Sequence, residues 1–250
     1  MQSNGASGTQ ASAAPALPRS ADALPRSADA LGAVPLADAL FARVGGNGSV
    51  SHPHCAALVA GSGVHATRDL ADAIHLLCHL HGRHPGLIDL ALGSGGGGNG
   101  SVSGAAREWL IDASDHYERE RLYLVRLTAA IGPMPSTPGS AESEAALQAQ
   151  RHAIETLALS ERSGCALGAA VGLIVDWGGI RRLLDRAADR AGVERPLCSL
   201  PDDAAIACAA DAAGDSVAAQ RGLLFGGEQL LLQHRGLFDL LEARAGARVD

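Results

Sequence analysis

Four ionisable residues, Glu120, His152, Asp176 and His234, sit on helical faces that otherwise carry apolar or small side chains. At ~100° per residue, Glu120 is ringed by Trp109, Ala113, Tyr117, Leu124, Leu127 and Ile131. Asp176 shares its face with Cys165, Ala169, Gly172, Leu173, Ile180 and Leu183. His234 shares its own with Gly227, Leu230, Leu231, Leu237, Phe238 and Leu241, and His152 is placed with Ala145, Ala149, Thr156 and Leu159. A charge on a core stripe is costly unless it is paired or holds a metal. Two carboxylates and two imidazoles from different helices are the donor chemistry of a carboxylate-bridged di-iron bundle, with His116 and Glu155 one turn away from Glu120 and His152. Such sites use Glu-x-x-His pairs, and none occurs here: His152-Ala-Ile-Glu155 runs in the reverse order. Two readings follow. One is a non-enzymatic helical bundle with a satisfied polar network in its core. The other is a metal-binding bundle or oxidoreductase with Glu120, His152, Asp176 and His234 as ligands, its cofactor unassigned.

Other chemistry is thinly supported. His75, Cys78 and His79, joined by His52, His54 and Cys55, could offer zinc ligands, but the paired spacing of a zinc site is missing. No Gly-x-Ser-x-Gly elbow or catalytic cysteine signature is present. All 20 basic residues are arginine, which excludes Schiff-base, pyridoxal-anchoring and phosphate-loop lysines. A net charge of −7, with arginines spread along the helices, argues against nucleic acid as a partner. The five cysteines form no Cys-x-x-Cys, which suits a reducing cytoplasm. No signal peptide precedes the body and the longest apolar run is too short to span a bilayer, so no membrane partner is expected.

The elements that must position these groups are helical. Alanine and leucine supply most of a 47% hydrophobic content, β-branched residues are few, and no stretch alternates as a strand does. The expected fold is all-α: a helical bundle, ferritin-like in outline, behind a disordered N-terminal tail. Residues 1–34 form that low-complexity tail, with an exact tandem heptad whose prolines forbid a continuous helix. Residues 35–103 hold short helices and Gly-rich linkers. Residues 104–250 form the bundle body, packed with 68–92. The segment Gly45-Gly-Asn-Gly-Ser-Val-Ser51 returns unchanged at 97–103, and both copies read as flexible linkers. Thr137 reads as the N-cap of a helix to about Arg162, and the last helical stretch breaks near Gly226-Gly227. Gly164, Gly168 and Gly172 form a ridge that Asp176 continues, which makes sense if a helix packs closely along it. A third reading follows: an interaction module that docks a protein partner or a second copy of itself on that ridge.

Four stretches together resemble an uncharacterised helical family from alphaproteobacteria: Glu118-Arg-Glu-Arg-Leu-Tyr-Leu124, Gly132-Pro-Met-Pro-Ser-Thr-Pro-Gly139, Gln150-Arg-His-Ala153 and Ser160-Glu-Arg-Ser-Gly-Cys-Ala-Leu-Gly-Ala169. The likeness covers roughly residues 68–191 and implies no assigned activity.

Overall fold

Apolar residues at a period of 3.6 give nine α-helices and one 3-10 turn, with no strand, among the described residues. The computed structural model describes residues 35–61, 63–94, 104–213 and 216–248. The expected tail and the second glycine repeat lie outside them. The helices are α1 (Leu36–Asn47), α2 (Pro53–Ala60), α3 (Ala66–His81), α4 (Leu87–Gly93), α5 (Gly104–Ala130), α6 (Ser140–Ala158), α7 (Cys165–Ala191), α8 (Asp203–Ala213) and α9 (Val217–Ala247), with the 3-10 turn at Ser49–Ser51. None is long and apolar enough to cross a membrane.

α7 is the centre of the bundle, buried over most of its length, and α9 is its main neighbour. The glycine ridge sets that pairing. A Cβ at Gly168 would run into the Leu223 carbonyl, and one at Gly172 would lie 3.0 Å from the Gly227 Cα. The contact is reciprocal, since a Cβ at Gly222 would meet the Ser163 carbonyl and one at Gly226 the Cys165 carbonyl. Each helical glycine costs ~1 kcal/mol relative to alanine, and here the cost admits backbone contact between two long helices. Gly226 and Gly227 therefore do not break the last helix, contrary to expectation. They are its docking notch, and α9 runs through them.

Two further expectations need correction. Residues 36–60 belong to the bundle, for Leu40, Val44, Cys55 and Leu58 are buried with the rest of the core. Helix α6 opens at Gly139, whose φ of 68° is left-handed, and Thr137 is not its cap. The Thr137 hydroxyl instead accepts from Arg248 Nη1 at 2.9 Å. Gly192 closes α7 as expected, with φ 67° and its N–H on the Ala188 carbonyl.

Candidate functional site

The first glycine repeat is no flexible linker. Its Gly45–Asn47 end α1, and the following 3-10 turn presents Ser49 to α7. The Ser49 N–H donates to Asp176 Oδ1 at 2.7 Å and its hydroxyl to Oδ2 at 2.5 Å. Gly48 fits beneath because it has no Cβ: one there would meet the Asp176 carboxylate and the Val44 carbonyl. The loop cradles a carboxylate of its own chain. From α9, His234 Nδ1 reaches Asp176 Oδ2 at 2.6 Å, and His234 Nε2 lies 3.0 Å from His81 Nε2 at the end of α3. Ser49, Asp176, His234 and His81 are all buried. Burial pushes the Asp176 carboxyl up, but the bonds it accepts from His234 and Ser49 together hold it below its ordinary value. Burial, and then His234, keeps His81 well below its own.

Trp177, the next residue on α7, joins this chain to a second one. Its ring meets His81 edge-on at 5.5 Å and Tyr117 at 4.9 Å. The indole N–H donates to Glu120 Oε2 at 3.1 Å, and Arg181 Nη1 donates to Glu120 Oε1 at 2.5 Å. Arg181 also bonds Asp185 at 2.8 Å and the Pro196 carbonyl, while its guanidinium stacks 4.7 Å from the Tyr123 ring centroid. Three of the four sequence candidates thus lie in one core polar network. Glu120 and Asp176 take separate partners, and His234 bonds Asp176 alone of the two.

His152 is not part of it. It is exposed on α6, and so are Ala145, Ala149, Thr156 and Leu159 around it. The buried face of α6 is Ser143, Leu147, Ile154 and Ala158. An alanine stripe carries little burial energy, so the larger Leu147 and Ile154 decide which side turns inward. The four candidates accordingly do not converge on one point, and neither do the six zinc candidates. Among the described residues, the one group of donors close enough to share an ion is His52, Asp239 and Glu242. His52 is committed elsewhere. Its Nδ1 accepts the His54 N–H at 3.1 Å as the cap of α2, so its proton sits on Nε2 and goes to Asp239 Oδ1 at 2.9 Å. A metal at Nε2 would require an imidazolate or a turned ring that forfeits the cap.

Nor is the thiol beside Asp176 activated. Cys55 is buried, and burial followed by the nearby Asp176 pushes its thiol up to about 12. The space at the outer end of the chain, beside His81 and Tyr117, amounts to about 30 Å³. That is room for water and for nothing larger.

Ligand-sized space occurs elsewhere, in a cleft of about 400 Å³ between α3, the 132–139 connector, α6 and α9. Leu76, Met134, Pro135 and Leu147 form its apolar wall, with Ser140, Glu144, His79 and Arg244 among the polar groups. Arg244 is held rigidly, its Nε and Nη2 donating to the buried Asp72 at 2.9 and 2.8 Å. Arg248 adds a bond to Asp72 at 2.6 Å and one to Asp69 at 2.9 Å. Burial, then Arg83 and Arg151, lowers His79, so the cleft meets a neutral imidazole near pH 7. The sequence offered no signal for this cleft, because its walls come from four separate segments.

Replacing Glu120 with alanine strands the Trp177 indole N–H and one bond of Arg181. Arg181 keeps Asp185 and Pro196, so the expected loss is about 2–3 kcal/mol. Glu120→Gln, which retains an acceptor, should lose less. Urea unfolding of both variants measures this, and a near-native alanine variant would contradict the placement of Glu120.

Stability should also depend on pH. His81 is lowered in the fold, so its contribution is complete above the ordinary value of 6.5 and declines as pH falls through it. Asp176 adds a further loss below its ordinary 3.8. Burial raises Glu120 despite Arg181 and Trp177, so the fold regains some stability as pH falls through that raised value toward the ordinary 4.5. The net expectation is a urea midpoint that drops from about pH 7.5 to about pH 5.5, with a slope approaching ~1.4 kcal/mol per pH unit for His81. A flat midpoint over that interval would show that His81 accepts a proton in the fold as easily as in the unfolded chain.

No curated protein and no solved structure matches this sequence. A family model described as a family of unknown function (DUF6975) matches residues 44–249. That span takes in both polar chains, from Ser49 to His234, together with the walls of the cleft. The chain therefore belongs to the DUF6975 family of unknown function.

Proposed function

We propose that this protein is a non-enzymatic, small-molecule-binding helical protein whose core polar network is structural. The observation that carries the reading is the 400 Å³ cleft, which lies within the range of small-molecule sites and combines an apolar wall with a rigid guanidinium. The Asp176–His234–His81 chain, in contrast, is sealed and leads only to a water-sized space. The ligand class is a small amphipathic molecule, its apolar body against Leu76, Met134, Pro135 and Leu147 and an oxygen acceptor directed at Arg244. Arg244 and Arg248 are balanced by Asp72 and Asp69, so Glu144 sets the charge at the mouth and weakens, without abolishing, the binding of an anionic acceptor. Five free cysteines support a reducing compartment, the cytoplasm, and a net charge of −7 speaks against nucleic acid. The glycine ridge is filled by α9, so a protein partner or a second copy has no access to it.

The probe is 8-anilinonaphthalene-1-sulfonate, an aromatic body with an acceptor end. The expected result is saturable one-to-one binding that Ser140→Trp weakens about tenfold or more by filling the cleft, ~1.4 kcal/mol. Glu144→Ala should tighten it by removing a like charge. Binding indifferent to both substitutions, in variants with unchanged helicity, would overturn the reading, and so would no binding at all.

A further inference from the structure

The Asp176–His234–His81 chain has a direction. Asp176 is held as a carboxylate and accepts from His234 Nδ1, and with His234 as the neutral imidazole this leaves its Nε2 as an acceptor. His81 must then donate through Nε2–H across the 3.0 Å contact, so its lone pair is on Nδ1. Among the described residues Nδ1 has no hydrogen-bond partner, and the imidazole lines the 30 Å³ cavity. On the same cavity lies Tyr117, 5% exposed, whose buried hydroxyl also has no partner. Tyr117 and His81 thus line one small space, and no hydrogen bond joins them directly. A buried hydroxyl left without a partner costs roughly 1–3 kcal/mol. A single water needs ~10–15 Å³ of such space and two or more polar partners, and both conditions are met here.

We propose that an ordered water occupies this cavity, accepting from the Tyr117 hydroxyl and donating to Nδ1 of His81, so that a continuous run of hydrogen bonds leads from Tyr117 to Asp176. Every donor in the run points the same way: Tyr117 to water, water to His81, His81 to His234, His234 to Asp176. The exposed Arg83 and the half-buried Arg151 and Glu155 also line the cavity. The charged groups acting on Tyr117 are Glu120, Asp89 and Arg121, and Arg151 is tied to Glu155 at 2.9 Å. Arg121 is likewise paired with Glu118, while Arg83 is exposed to solvent. The inference stands apart from the ligand cleft, and either can fail without the other.

The test is nuclear magnetic resonance on the intact protein, with no ligand added. The expected result is that His81 carries its proton on Nε2 by its ring nitrogen shifts, and that a long-lived water gives cross-peaks to the rings of Tyr117 and His81. Tyr117→Phe should remove the water cross-peak while His81 keeps its tautomer. A proton on Nδ1 of His81, no long-lived water in the wild type, or a His81 water cross-peak unchanged in Tyr117→Phe would each overturn the proposal. If the phenylalanine variant does not fold, the two wild-type observations decide the matter alone.

Discussion

Asp176→Ala is expected to destabilise the protein by about 3–5 kcal/mol, because it strands three buried donors at once. The Ser49 N–H, the Ser49 hydroxyl and His234 Nδ1 all end on this carboxylate, and none has another partner of comparable geometry. The effect should exceed that of Glu120→Ala, whose main partner Arg181 retains two other acceptors. Asp176→Asn keeps the shape and one acceptor, so it should lose less than alanine while still opposing an amide to one of the donors. Denaturant unfolding of the pair reads this directly. An alanine variant within ~1 kcal/mol of wild type would mean that the Ser49 turn and His234 find other partners when the carboxylate is gone.

Gly168→Ala should be nearly as damaging. Overpacking a core commonly costs ~1–3 kcal/mol, and here the new methyl faces the Leu223 backbone, which cannot rotate away as a side chain can. A loss of about 3 kcal/mol is expected. Gly178 lies on the same helix but is exposed, with nothing within 4 Å of the position a Cβ would take. Gly178→Ala should therefore stabilise, by up to ~1 kcal/mol. Opposite signs from one substitution at two positions of α7, measured by thermal or urea unfolding, isolate close packing from helix propensity. Equal signs would mean that the α7–α9 approach relaxes without penalty.

The parts of the fold written in local pattern could be read from the sequence. Glu120, Asp176 and His234 each sit among large apolar neighbours that recur at helical spacing, and all three are buried. The ridge at Gly164, Gly168 and Gly172 was likewise legible, since glycines four apart in a helix need a close neighbour. Its counterpart, Gly222 and Gly226, has the same spacing, yet Gly226 with Gly227 reads as a helix break when taken without the partner helix. His152 misled because alanine tolerates either side of a helix. His81 lay on a clear apolar face with Leu70, Ile74 and Leu77, yet only the packing of α3 against α9 makes it the partner of His234. Ser49 was hidden more deeply. Its segment has the composition of a linker, and its role exists only because a carboxylate 127 residues away lies under the turn. The cleft, drawn from four segments, left no trace in any one of them.

The central claim is that Asp176 and His234 are coupled at the heart of a structural polar chain. A double-mutant cycle of Asp176→Ala and His234→Ala, followed by urea unfolding near pH 7.5, tests it most directly. The account predicts a coupling energy on the order of 2 kcal/mol, since each substitution removes the same buried bond. Additivity within ~0.5 kcal/mol would contradict it, for then the two side chains would be neighbours in the core without depending on one another.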